Sequence, residues 1–545
     1  MTIKDQTITL IDSLKTVCQA YGLGNDGNEY KIITQVFLYK FLNDKFGFLL
    51  KNLNSPLASK FKEVEHWEAA YSRMAKNKRD LLLATLSPDI PRLYPEHLVS
   101  TLWNQQSKSN FDEIFDSVMT GISDKNSAIF STKTTENTKI PLFEPLTKYV
   151  TDPARRTQFA RALVDKLVNF SFEEVFHEKY DFFADIFEYL IKDYNTAGGG
   201  KYAEYYTPHA IATIMAELLV GDNSNLYNVE CYDPSAGTGT LLMALAHKVG
   251  EDRCTIFAQD ISQRSNKMLK LNLLLNGLVS SLDHAIQGDT LLEPYHKSDD
   301  GKSLRQFDFV VSNPPFKMDF SETREDIAKS SPSRFWAGVP KVPNKKKESM
   351  AIYTCFIQHV VNSLKSNGRG AIVVPSGFLT AKAGIESEIR KYIVDNKIVY
   401  GCVSMPSNVF ANTGTKVSVL FFDKSANCKK VKLINATNLG EEYRDANGFK
   451  KVRLREEEID KIVSSFRNKR GQRGFSISVN YEDIKRNDYS LSAARYLDID
   501  TRKENNLTSE KEFTKRFLEL KEQLKELFSS SRKLEREILR QIEKF

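Results

Sequence analysis

The tetrapeptide Asn313-Pro314-Pro315-Phe316 follows a short apolar run, Phe307–Ser312 (FDFVVS), whose composition is that of a buried strand. Two prolines directly after a strand remove backbone donors and stiffen the chain. They set the Asn313 side-chain carbonyl and the Pro314 backbone carbonyl as two acceptors in one small space. Acceptors so placed bind the two hydrogens of an exocyclic amine and turn the nitrogen lone pair toward an electrophile. Phe316 then offers a flat face on which a base stacks. The same tetrapeptide also serves as a plain strand-terminating turn, so its chemistry depends on what accompanies it.

Upstream lies Asp233-Pro234-Ser235-Ala236-Gly237-Thr238-Gly239-Thr240, between a strand-like run at 229–232 and a helical run at 241–248. A glycine-rich turn between strand and helix lets a ligand approach the backbone at the C-terminal edge of a sheet. A dinucleotide fingerprint would carry a third glycine, but Leu242 stands in its place. The next run, Phe257-Ala258-Gln259-Asp260, ends in a carboxylate 23 positions beyond Gly237. That spacing suits an acceptor for both hydroxyls of an adenosine ribose. Gly288-Asp289-Thr290-Leu291 places a further acid where it can touch an adenine. Lys201-Tyr202-Ala203-Glu204-Tyr205-Tyr206-Thr207-Pro208-His209 lies between the triple glycine Gly198-Gly199-Gly200 and a helix. Thr207 and Pro208 suit the start of that helix, and the aromatics before them suit covering an adenosine or its methionine tail. Taken singly, each of these features is equally an ordinary cap, loop or turn.

The elements that must position these groups alternate. Apolar runs at 229–232, 255–259, 307–312, 370–375, 398–405 and 417–423 are separated by helical patterns such as 209–220, 263–276 and 353–366. Nearly continuous apolar strands alternating with helices predict a parallel sheet covered on both faces. The expected fold is α/β, with this catalytic domain at 171–475. Residues 1–170 are predicted to form a helical domain, with 34–50 apolar on most faces and central to a bundle. Turn chemistry at Ser87-Pro88-Asp89 and Thr151-Asp152-Pro153 breaks it, and 181–192 reads as one more amphipathic helix. The segment 476–545 ends in a helix on which Phe513, Phe517, Leu520, Leu524, Leu527, Leu534 and Ile538 recur at steps of three and four, with Ser531 filling the missing place. That coiled-coil-like stripe is too narrow for a buried globular helix and calls for a partner.

Composition sets outer bounds. The chain has 545 residues with 41% hydrophobic and 27% charged content, ordinary for a globular protein of several domains. A net charge of +7 permits contact with nucleic acid without demanding it. Six scattered cysteines show neither a CxxC pair nor a His/Cys cluster, which predicts reduced, buried thiols and no metal site. No run approaches the roughly 18 apolar residues of a membrane helix, and the first ten residues lack the pattern of a secretory signal. A cytoplasmic chain with no membrane partner is expected.

Read in order, AEYYTP (203–208), DPSAGTGTLL (233–242), FAQD (257–260), GDTL (288–291) and FDFVVSNPPF (307–316) resemble the gamma-type amino methyltransferases, specifically the modification subunit of type I restriction–modification systems. The likeness continues through RFWAG (334–338), AIVVPSGF (371–378), MPSNVF (405–410), Thr413-Gly414-Thr415, DYSL (488–491) and ARY (494–496), and so covers nearly the whole chain. It implies a Rossmann-like S-adenosylmethionine-dependent methyltransferase domain that methylates the N6 amine of adenine in double-stranded DNA. The sulfonium carries its own leaving group, so the task is positioning and desolvation for an in-line displacement. Cofactor contacts are expected from Glu204, Tyr205, Tyr206, Thr207, Pro208, His209, Asp233, Ser235, Ala236, Gly237, Thr238, Asp260 and Asp289, and catalysis from Asn313, Pro314, Pro315 and Phe316. Glu204 departs from the glutamine usual in the family, leaving a carboxylate near the cofactor, and His209 from a frequent arginine.

Nothing in the chain looks like a base-reading module. The resemblance therefore implies a separate specificity subunit with two target-recognition domains and two modification subunits around it, and it leaves room for a restriction subunit. Lys341, Lys345, Lys346 and Lys347 form a basic loop that reads equally as a phosphate contact and as a solvated loop. Three rivals remain: the same fold acting on cytosine N4 or a protein glutamine, a scaffold without turnover, and a self-contained restriction enzyme. Asparagine first in the tetrapeptide, and the absence of an evident nuclease motif, weigh against them.

Overall fold

A computed structural model describes residues 2–24, 28–62, 66–86, 90–127, 131–135, 139–177, 186, 189, 207–222, 225–330, 333–410, 415–444, 450–468, 470–497 and 510–542. The turn at 87–89, the helix expected at 181–192 (save residues 186 and 189), the triple glycine and Lys201–Tyr206 lie outside the described residues, as do Thr413 and Gly414.

The N-terminal region is built on the helices Ile3–Ala20, Glu29–Asn52, Phe111–Lys125 and Pro153–Val168. Glu29–Asn52 is buried at most of its positions, as an all-round apolar helix must be. Phe37 and Phe41 meet Phe172 edge-on, with ring centroids 5.0 and 5.6 Å apart. Asp152 caps the helix Pro153–Val168 by accepting the Ala154 N–H at 3.0 Å, and Pro153 stands where a missing N–H costs nothing.

This region is not purely helical. It contributes β1 (Ser131–Thr134) and β2 (Lys139–Pro141) to the main sheet. The other strands follow as β3 (Val229–Asp233), β4 (Cys254–Asp260), β5 (Ala285–Gln287), β6 (Phe307–Ser312), β7 (Leu364–Pro375), β8 (Val399–Ser404), β9 (Val417–Asp423) and β10 (Lys430–Asn435). A separate hairpin pairs β11 (Glu441–Arg444) with β12 (Lys450–Arg453), and β13 (Ser476–Asn480) closes the series. Among the described residues the main sheet has eleven strands in the order β13-β10-β8-β9-β7-β6-β3-β4-β5-β1-β2. The centre, β5-β4-β3-β6-β7, is parallel throughout. β9 runs antiparallel between β7 and β8, and β2 and β13 are antiparallel at the two edges.

The sheet therefore takes strands from beyond both limits drawn at 171 and 475. β2 and β13 are short edge strands and β1 lies next to the edge between β5 and β2; three to five residues give no run long enough to declare a strand. The helix expected over 353–366 stops at Asn362, and Leu364 already pairs with Phe307 as the start of β7. β9, buried at all seven positions, lies inside the sheet, which explains its largely apolar sequence.

Five of the six cysteines are buried and Cys428 is half-buried, all as free thiols. The last helix, Glu510–Ile542, carries Phe517, Leu520, Leu524, Leu527, Leu534 and Ile538 exposed, joined by Leu518, Phe528 and Leu539. Its apolar surface is thus wider than the narrow seam read from spacing. No helix among the described residues is long and apolar enough to cross a membrane.

Candidate active site

β3 has β4 on one side and β6 on the other, so the chain leaves the middle of the sheet in opposite directions. Such a switch point opens a crevice outside the C-terminal ends of the two strands. Asp233 ends β3 and Ser312-Asn313 ends β6. The two motifs, 80 positions apart in the chain, meet here: Ser235 Oγ and Ser312 Oγ are 2.7 Å apart.

The turn after β3 is shaped by its glycines. Gly237 has φ +52° and Gly239 φ +85°, conformations that suit residues without a Cβ. A Cβ on Gly239 would also sit 2.4 Å from Leu269 Cδ1, on the helix Gln263–Leu275. The turn is tied down on two sides. Ala236 N–H donates to Gln259 O at 3.2 Å, and Asn272 Nδ2 donates to Thr238 O at 3.1 Å. Thr290 Oγ1 adds a 2.7 Å bond to Pro234 O, which fastens the turn to the segment after β5.

Two carboxylates organise this edge. Asp233 is 1% exposed and accepts from Ser235 N–H at 2.9 Å and Ser235 Oγ at 3.3 Å. Burial, with the charge of Asp260 adding to it, pushes its carboxyl up to about 8. The native state then holds a proton that the unfolded chain has already lost. This contribution to stability is full below the ordinary carboxylate value and disappears as pH rises through about 8. We expect the melting temperature of the native chain to fall between pH 6 and pH 9 by roughly 3 °C more than that of Asp233→Asn, followed by thermal unfolding. Parallel curves for the two proteins would remove Asp233 as the titrating group.

Asp260 is half-buried at the end of β4. Burial raises its carboxyl, opposed by N–H donors from Ser262 to Oδ1 and from Gly237 to Oδ2, both at 2.8 Å. A carboxylate oxygen has two acceptor sites, so each Asp260 oxygen retains one. That donor and acceptor set fits an adenosine: a carboxylate at the crevice for two ribose hydroxyls, beside a turn whose glycines admit close approach. Gly288 N–H donates to Asp260 O at 2.9 Å, which brings Asp289 alongside. Asp289 Oδ1 caps the next turn through the N–H groups of Leu291 (2.9 Å) and Leu292 (3.2 Å).

At the end of β6, Asn313 is buried and its Nδ2 donates to Thr207 Oγ1 at 2.9 Å. Its Oδ1 has no hydrogen-bond partner among the described residues. Pro314 is buried, whereas Pro315 and Phe316 are half-buried. Phe316 meets Tyr353 edge-on at 6.3 Å between centroids, and Tyr353 meets Phe378 at 6.1 Å, forming an aromatic wall behind the tetrapeptide. Of the stretch read as a cofactor cover, Glu204, Tyr205 and Tyr206 lie outside the described residues. Thr207 is buried against Asn313, and Pro208 and His209 are half-buried at the start of the helix His209–Val220. Lys341, Lys345, Lys346 and Lys347 are exposed. Met318 N–H donates to Met350 O at 3.1 Å, which holds the end of their loop beside the residues after Phe316.

Residue spacing did not single out one group. Arg334 is 2% exposed, and its guanidinium donates to Thr290 O at 3.3 Å and to Leu291 O. His359 Nδ1 lies 3.5 Å from it, and His359 Nε2 is 3.3 Å from the Tyr232 hydroxyl on β3. Burial lowers the guanidinium to about 10 and, with the Arg334 charge, holds the imidazole well below its ordinary range. Arg334 thus binds the loop after Phe316 to the segment carrying Asp289 and Thr290. In sequence it was visible only within RFWAG; Thr290, Leu291 and His359 lie more than 20 positions away.

The sheet order, the glycine turn at the switch point and the acidic strand ends define a Rossmann-like methyltransferase fold. A solved structure of the type I restriction-modification system methyltransferase subunit from Streptococcus thermophilus shares this fold, with a TM-score of 0.72 and 22% identity over 90% of this chain and 100% of that one. Residues 178–505 match the family N-6 DNA Methylase, and the chain belongs to that family. It is 27% identical to the type I restriction enzyme MpnII methylase subunit of Mycoplasma pneumoniae over 64% of this chain and 63% of that one. The type I restriction enzyme MjaIX methylase subunit of Methanocaldococcus jannaschii is 28% identical over 69% of this chain and 65% of its own. The chain thus spans just under two thirds of the length of these two relatives.

Proposed function

We propose that the chain transfers a methyl group from S-adenosylmethionine to the N6 amine of adenine in double-stranded DNA, as the modification subunit of a type I restriction–modification complex acting in the cytoplasm. The observation that carries this reading is the Asn313 amide, buried at the end of β6 with Nδ2 on Thr207 and Oδ1 without a partner among the described residues. When bound, the cofactor supplies a methyl group on a sulfonium that carries its own leaving group.

The residues of the chain do the rest. Asp260 accepts the ribose hydroxyls, Asp289 faces the adenine of the cofactor, and the Ser235–Thr238 turn admits its approach. Asn313 Oδ1 and Pro314 O receive the two hydrogens of the target amine, and Phe316 holds the flipped base by stacking. The aromatic wall of Phe316, Tyr353 and Phe378 excludes water from the reacting nitrogen. The division into a helical domain, a catalytic domain and a C-terminal partner-binding segment describes how these tasks are distributed.

A separate specificity subunit reads the DNA target, and two modification subunits flank it, an arrangement that leaves room for a restriction subunit. The exposed apolar helix Glu510–Ile542 supports this arrangement, because a single helix cannot hide such a stripe alone. Deleting residues from 505 onward should leave cofactor affinity within about twofold and abolish co-purification with the specificity subunit; undiminished co-purification would refute the assignment of this helix. The function itself is tested by labelled methyl transfer to DNA with and without the specificity subunit, followed by nucleoside analysis. N6-methyladenine formed only with the partner supports both the chemistry and the division of labour. N6-methyladenine from the chain alone overturns the partner, and no transfer in either case overturns the activity.

A further inference from the structure

We propose that Thr207 is a positioning residue for methyl transfer, whose hydroxyl fixes which way the Asn313 amide faces. The inference rests on the proposed role of Asn313. It assigns Thr207, from a stretch otherwise expected to cover the cofactor, to the target amine's side of the site.

The argument begins with the amide. The terminal torsion of asparagine is broad and roughly two-fold, so carbonyl and amino group exchange places at little intrinsic cost. For the target amine the two faces are opposites. A carbonyl accepts its hydrogen, whereas an amino group sets donor against donor. The prolines at 314 and 315 have no N–H, so the residues next in the chain offer Asn313 Oδ1 no competing backbone donor.

Thr207 supplies the discrimination. Its Oγ1 accepts from Asn313 Nδ2 at 2.9 Å, and both side chains are buried. A hydroxyl can donate or accept, but only as the acceptor does it leave the amide oxygen for the amine. With the amine bound, that arrangement satisfies both ends of the amide; the flipped one satisfies neither the amine nor Nδ2. A buried donor stripped of its partner is costly, so without the hydroxyl the amide turns to other partners. Position in the fold makes Thr207 a firm reference point. It stands just before the helix His209–Val220, whose Ile211, Ile214 and Met215 are buried in the main core.

The test uses the full chain assembled with its specificity subunit on DNA, and compares Thr207→Val, Thr207→Ser, Asn313→Ala and the double variant Thr207→Val/Asn313→Ala. Valine keeps the shape of threonine and removes only the hydroxyl. We expect kcat for Thr207→Val to fall about 10- to 100-fold, with the KM for S-adenosylmethionine within about threefold of native and its equilibrium binding retained, which also reports an intact fold. Serine should restore kcat to within about threefold, and the double variant should be no slower than Asn313→Ala alone. Native kcat in Thr207→Val, with Asn313→Ala inactive, overturns the assignment of Thr207 and leaves that of Asn313 standing. A raised KM with unchanged kcat makes Thr207 a cofactor contact instead. Full activity in Asn313→Ala overturns the reading on which the proposal stands. A loss of cofactor binding in Thr207→Val that serine does not repair makes the residue merely structural.

Discussion

Replacing Asn313 with alanine is expected to remove methyl transfer while the protein still folds and still binds S-adenosylmethionine. The side chain holds one hydrogen bond within the chain, to Thr207 at 2.9 Å, and its backbone lies at the end of β6, where the ladder to β7 is already complete. Its loss therefore costs stability about 1 kcal/mol, the scale of a single hydrogen bond. The effect on turnover is of another order. In the role proposed for Asn313, alanine leaves the amine hydrogen without its side-chain acceptor, and the nitrogen lone pair is no longer aimed. Loss of one preorganised polar group at a reacting centre costs about 100- to 1000-fold in kcat. Labelled transfer to DNA, run beside calorimetric cofactor titration, separates the two effects. A variant that keeps a tenth or more of native turnover would show that Asn313 does not orient the amine.

Replacing Arg334 with methionine should produce the largest loss of stability of any single change near the site. Methionine fills much of the same space but donates nothing. Thr290 O and Leu291 O then lose the guanidinium, and the buried network through His359 to Tyr232 loses its charged member. Buried polar groups left without partners put the loss at about 3–5 kcal/mol. The damage extends to binding, because Thr290 holds Pro234 of the glycine turn and Asp289 is its neighbour in the chain. Affinity for S-adenosylmethionine is expected to fall about tenfold or more. Lysine at 334 should recover only part of either quantity, since a point charge cannot serve two carbonyls with the geometry of a planar fork. Denaturant unfolding and cofactor titration of the two variants check this; a methionine variant with native midpoint and affinity would show that the clamp is idle.

The long elements were legible in the sequence because their environment leaves a strong pattern. β3, β4, β6 and β9 are buried on both faces and read as apolar runs. The helix His209–Val220 begins and ends where its periodicity and the following glycine place it. β1, β2 and β13 escaped, since strands of three to five residues at or next to the sheet's edges owe their existence to a neighbour's unpaired groups more than to their own side chains. The Asn313 tetrapeptide, the glycine turn and Asp260 were equally visible, as each needs particular residue types at a strand end. Arg334 was not, because nothing near it in the chain shows that it is buried.

The sequence by itself determined the chemistry on offer: an amide and two prolines after one strand, a glycine turn after another, an acid at the end of a third, and an apolar stripe on the last helix. What only the tertiary structure decided is which of these groups touch. The strand order puts β6 beside β3, so Ser312 and Ser235 come within 2.7 Å, and the start of the helix after residue 207 brings Thr207 to Asn313. Local spacing cannot specify such meetings, because contacts between residues 77 and 106 positions apart arise from the packing of whole elements on a shared sheet.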